Sequence, residues 1–229
     1  NYAAALEYVD VVNLIDYLLI NFYSGNRDWD RSNWRAGRHR ESGRFVFFAW
    51  DSERTDLNTS STVTDGPVSR NVTRTNNPKY PTFFHQQFTA SPEYRMLFAD
   101  RTQRHLFQNG TLTPTGAAER WNARANEIRD AIVAESARWG DAHSVSPRTP
   151  ATWESHNEDM NTKWFPDRTW ILLRQLRQQG LYPNVEAPTF NNMGGEIPQN
   201  FQLEIAAAPE GEIYLTTNGA DPRSPGGKI

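Results

Sequence analysis

The sequence predicts an α+β fold that is mostly helical, carries one β-hairpin, and passes at its end into the start of a small all-β sandwich module. Three observations support this. Apolar residues recur every three or four positions through the first 23 residues and again after Thr113. An aromatic, β-branched run over 44–50 follows a short polar turn. Beyond Pro183 the helical pattern gives way to short alternating runs between Gly, Pro and Asn.

Taken in order, Leu6, Val9, Val12, Ile15, Leu19 and Phe22 predict one helix over 3–23 with these side chains on its buried face, ended by Ser24-Gly25-Asn26. Residues 27–32 are too polar for either regular element. Residues 33–39 and 44–50 predict two strands joined by Arg40-Glu41-Ser42-Gly43. The Ser/Thr/Asn-rich stretch from Asp51 to Pro78 reads as a long loop, and loops beyond about 12–15 residues tend to be functional or mobile. Helical signals resume at Pro81, with His85 as a packed helix residue between Phe84 and Phe88. The strongest helix has Thr113 as N-cap, Pro114 in its first turn and Gly140 as its stop. Its buried stripe is Trp121, Ala125, Ile128, Ile132 and Trp139. After a linker from Ser146 to Pro150, Trp153 to Lys163 predicts another helix. Asp167 then caps a last one bearing Ile171, Leu172 and Leu176, closed by Gly180. Ala187 to Phe190, Phe201 to Ala206 and Ile213 to Thr217 read as strands. The expected organisation is thus one domain over 1–183 and a partial β-module over 184–229, whose about 45 residues are too few to bury a sandwich core unaided.

Composition narrows the function. No cysteine is present, which excludes a disulfide scaffold, thiol catalysis and cysteine-ligated zinc. The net charge of −3 gives no general nucleic-acid footprint. No apolar run approaches the roughly 18–20 residues of a membrane-spanning helix. All basic residues but Lys79, Lys163 and Lys228 are Arg, a side chain suited to fixed carboxylate or phosphate pairing rather than proton transfer.

The chemistry-bearing constellation lies between the first helix and the hairpin. Asp28 and Asn33 stand five apart, the spacing at which kinase-type enzymes place an acid that aligns the acceptor hydroxyl and an amide that holds a metal. The string alone carries little, since Asp16 and Asn21 match it too. The hairpin adds the weight: two strands of similar length return the chain beside Asn33, delivering the carboxylate of Asp51 to the end where Asp28 and Asn33 already sit. Such oxygen ligands suit a hard divalent cation, Mg2+ or Mn2+. Asp30 and Glu53 either extend this acidic cluster or are loop charges and partners for Arg27, Arg31 and Arg54.

Asn26-Arg27-Asp28 through Asn33-Trp34, followed by Phe47-Phe48-Ala49-Trp50-Asp51, resembles the core of the spore coat protein H (CotH) kinase-like family. Phe165-Pro166-Asp167-Arg168-Thr169 and Gly180-Leu181-Tyr182-Pro183 resemble the end of that domain, and Glu212 through Pro222 is similar to the signature of a chitobiase-like C-terminal module. The resemblance implies the C-terminal lobe of an atypical protein kinase that uses ATP and Mg2+ or Mn2+ on protein hydroxyls. In it Asp28 is the catalytic acid and Asn33 and Asp51 are the metal ligands. It also implies a secreted or cell-surface bacterial protein of several domains. Two departures stand out: Ser52-Glu53 follows Asp51 where the family more often shows a second Asp, and no Lys precedes Lys79. The nucleotide-contacting lobe is therefore expected before Asn1, and this stretch alone is expected to be inactive. The competing reading is a non-catalytic surface or adhesion protein that keeps the fold as a scaffold for a cell-surface ligand.

Overall fold

Helix α2 (Val11–Ser24) is the centre of the fold: Leu14, Ile15, Leu18, Leu19 and Phe22 are all buried. The computed structural model describes residues 2–55, 67–142, 145–192 and 195–223. A short helix α1 (Tyr2–Ala5) precedes α2, and strands β1 (Trp34–Gly37) and β2 (Val46–Ala49) follow it. Then come α3 (Pro81–Phe88), α4 (Pro92–Leu106), α5 (Pro114–Trp139), α6 (Pro150–Asp159), α7 (Phe165–Gln178), and two-residue strands β3 (Thr189–Phe190) and β4 (Ile205–Ala206). Helices α4 and α7 and strand β2 pack on α2, and α5 and α6 lie against each other beside α7. Asp16 on α2 binds Arg101 (2.7 and 2.5 Å) and His105 (3.0 Å) on α4. Burial pushes the Asp16 carboxyl up, but the hydrogen bonds from His105 and Arg101 outweigh it and hold the group below its ordinary value.

Several expectations change in detail. The single helix over 3–23 divides, because Tyr8 and Asp10 leave the helix to pair with Phe45 (Phe45 N to Tyr8 O 2.7 Å, Asp10 N to Phe45 O 3.0 Å). Asp10 then caps α2 by accepting from the Asn13 amide at 2.9 Å. The break resets the helical phase, so Leu6 and Val12 face water while Val9 is buried. The hairpin is antiparallel as expected but shorter, with Trp34 opposite Ala49 and Gly37 opposite Val46. Helix α5 starts at the expected cap, where the Thr113 hydroxyl accepts from the Gly116 amide. Its stripe is covered only where α6 and α7 lie on it. Trp121 packs on Phe165 and donates to Asn157 at 2.9 Å, and Ala125 is buried, whereas Ile128 is 40% and Trp139 54% exposed.

No break separates α6 from α7. A π turn over Met160–Trp164 joins them, with the Phe165 amide bonded to the Met160 carbonyl. Pro166 has no amide hydrogen to donate and clashes with a regular turn, and a widened turn accommodates it. Asp167 accordingly lies inside the first turn of α7 instead of capping it. Of the expected long loop, 67–69 forms a single tight turn, and 56–66 lie outside the described residues. The tail departs most from expectation. β3 and β4 pair antiparallel over two residues each, 213–217 carries no strand, and no sandwich forms among the described residues. Most tail side chains face water, since so short a segment has no second layer to cover them. Arg223 ties this tail to Asp100 on α4 at 2.8 Å.

Candidate active site

The core end of the site is built by the way α2 stops. Gly25 adopts a left-handed backbone (φ 59°) and turns its amide back to Asn21 and Phe22. Asn26, buried, donates to the Asn21 side chain at 3.1 Å, and its own oxygen accepts from the Asp28 amide at 3.4 Å. Trp29 is 2% exposed and packs edge-on against Tyr17 and Phe22. Asp28 is thus held between two anchored neighbours. Among the described residues its Oδ1 is buried without a hydrogen-bond partner, and its Oδ2 lies 3.9 Å from Arg54 Nε.

The hairpin supplies the other end. Asn13 on α2 fixes β2 by pairing with both backbone groups of Phe47 (2.5 and 3.3 Å). At the open end the Trp50 amide donates to the Asn33 carbonyl at 3.3 Å, and the Asn33 amide nitrogen donates to the Asp51 carbonyl at 3.2 Å. Asp51 is exposed with a left-handed backbone (φ 48°). Three residues later Arg54 rejoins the core end, its carbonyl accepting from the Arg27 amide at 3.1 Å. A short turn over 51–54 is therefore tied to Asn33 at its start and to Arg27 and Asp28 at its finish. Such a turn spans at most about 3.5 Å per residue, so it links the Asn33 end of the hairpin to the Asp28 segment over a short stretch of backbone.

Asp30 does not extend that cluster. It is 3% exposed, and its carboxylate accepts from the Thr82 amide (3.0 Å), the Thr82 hydroxyl (2.6 Å) and the Asn77 side chain (2.6 Å). These bonds make it the anchor of the segment entering α3. Glu53 stands exposed in the 51–54 turn. Among the described residues no group of three or more His, Cys, Asp or Glu is arranged to hold a metal. Any cation at this site would therefore depend on the amide oxygen of Asn33, left available by the orientation of its nitrogen, together with Asp51. That set of hard oxygen donors fits a divalent ion bound by few protein ligands and several waters. Two residues that the sequence offered only as parts of motifs turn out to support the site. Asn26 was legible as a helix end and as the start of the Asn26-Arg27-Asp28 motif but not as a buried partner of Asn21, and Arg168 gave no local signal of its bonds to the carbonyls at the end of α2.

The profile of a family described as CotH kinase protein matches residues 1–172. No curated protein and no solved structure matches the chain.

Proposed function

Because the chain belongs to the CotH kinase protein family, we propose that it is the catalytic lobe of an atypical, ATP- and divalent-metal-dependent protein kinase of the cell surface or secreted space. The observation that supports this most is the 51–54 turn, which ties Asp51 to Asn33 at one end and Arg54 to Asp28 at the other. Asp28 receives the acceptor hydroxyl: its side chain is 31% exposed beside Arg54, and a serine or threonine hydroxyl reaching the carboxylate would donate to it and pass it the proton. Asn33 and Asp51 hold the cation, Mg2+ or Mn2+, which when bound neutralises phosphate charge on ATP. Arg54 stands beside the Asp28 carboxylate, its Nε 3.9 Å from Asp28 Oδ2.

The test has two arms. Calorimetric titration of this chain with Mn2+ should show binding that Asp51→Asn weakens about 10–100-fold and Asp28→Asn leaves largely intact. In any protein containing this chain that transfers phosphate from labelled ATP, Asp28→Asn should lower that transfer by about 10²–10⁴-fold. Mn2+ binding indifferent to Asp51, or transfer indifferent to Asp28, overturns the assignment. A longer protein that binds a surface ligand and transfers no phosphate establishes the scaffold reading instead.

A further inference from the structure

Among the described residues Arg168 is the largest buried charge, and it faces backbone oxygens. Its Nε donates to the Tyr23 carbonyl at 2.5 Å and one terminal nitrogen donates to the Phe22 carbonyl. The other donates to the carbonyls of Val68 (2.7 Å) and Arg70 (2.9 Å), and the guanidinium lies over the ring of Trp164. Two turns further along α7, Gln175 donates to the carbonyls of Ser69 (3.0 Å) and Arg70 (3.2 Å). Burial pushes Arg168 down to about 10, which leaves it charged at neutral pH.

The four carbonyls divide into two pairs that frame the site. Phe22 and Tyr23 are in the last turn of α2, which has no basic residue of its own there and runs directly into Gly25, Asn26 and Asp28. Val68 and Arg70 lie in the segment where the chain that left the hairpin at Asp51 comes back to the helical body. Only a planar fork with donors on both sides can bridge two such segments from one position, and only a cation suits a cluster of partially negative carbonyls at a helix end.

We propose that Arg168, assisted by Gln175, is a positioning clamp for the active site, locking the segment that carries Asp28 to the segment that closes the loop after Asp51. The inference rests on the kinase reading for its consequence, though not for its structural content. The clamp acts through backbone placement and touches no reacting atom.

The experiment compares Arg168→Lys, which keeps the charge and loses the fork, with Gln175→Leu, which keeps the fork and loses only the second segment's extra bonds. Hydrogen exchange of the intact chain reads the clamp directly. Arg168→Lys should speed exchange about tenfold or more at the amides of Gly25, Asn26 and Asp28 and also at Thr73 and Thr75, while amides within α4 stay at wild-type rates. Gln175→Leu should speed only Thr73 and Thr75. Mn2+ affinity should fall about tenfold or more in Arg168→Lys and much less in Gln175→Leu, as for residues that orient ligands from behind. Acceleration spread evenly over all helices, or unchanged exchange at 25–28, overturns the clamp. If Arg168→Lys does not fold, Gln175→Leu decides by whether its effect is confined to Thr73 and Thr75. If the wild type binds no Mn2+, the kinase reading fails and the exchange pattern alone judges the clamp.

Discussion

The two ends of the candidate site are made in opposite ways. From Phe22 to Asp30 the chain is almost wholly embedded: Asn26, Trp29 and Asp30 are buried, and Asp28 sits between them. From Trp50 to Arg54 the chain runs over the surface, held among the described residues by three backbone-directed bonds and little packing. The contrast matches a division of labour. A group that must meet a proton at a fixed point gains from a rigid bed, whereas a metal ligand shared with water and phosphate gains from reach.

Three measurements test that contrast, in falling order of expected effect. Trp29→Ala should cost about 3–5 kcal/mol in urea unfolding, while Trp50→Ala, at 56% exposure and with Arg35 over its ring, should cost about 1 kcal/mol or less. Equal costs would erase the distinction between the two ends. Asp30→Ala leaves three donors without an acceptor and should cost about 3 kcal/mol, against about 0.5 kcal/mol or less for Glu53→Ala. A small loss at Asp30 would mean that the core end is softer than its bonds suggest.

The third measurement is pH-dependent. Fully buried His85 packs on Phe22 and shares a 2.8 Å hydrogen bond with Tyr94, and burial pushes its imidazole down to about 3. The unfolded chain, with an ordinary imidazole near 6.5, takes up the proton that the folded chain refuses. Its contribution is therefore complete above about pH 6.5 and is lost progressively toward pH 3. Between pH 6.5 and 5 the loss is about 2 kcal/mol. His85→Gln should remove that part of the slope when unfolding is followed at both pH values. An unchanged slope would show that His85 takes up a proton without unfolding.

What the sequence revealed follows the range of the interactions involved. The hairpin, the Thr113 cap and the return of Asp51 to Asn33 depend on neighbours within some 20 residues, and they were legible. The stripe of α5 was legible as a stripe, but its burial was not. Periodicity marks which side chains share a face, and only the placement of α6 and α7 decides how far along the helix that face is covered. Asp30 and Arg168 were the least legible. Each looks locally like a solvated charge, and each takes its role from partners 47 to 146 residues away. The tail departed for the converse reason, since the alternating residues at 213–217 pair with no strand among the described residues.

The left-handed backbone at Asp51 has a consequence for how such a protein can change over time. At φ 48° Gly, Asn and Asp are at ease, and a β-branched or bulky replacement costs about 1–2 kcal/mol. A lineage selected for its shape alone would therefore hold this position to those three residues, and two of them erase the carboxylate without disturbing the hairpin. Chemistry and architecture can part company here in a single step. The identity of residue 51 in related chains is thus a sharper marker of catalytic upkeep than the persistence of the fold around it.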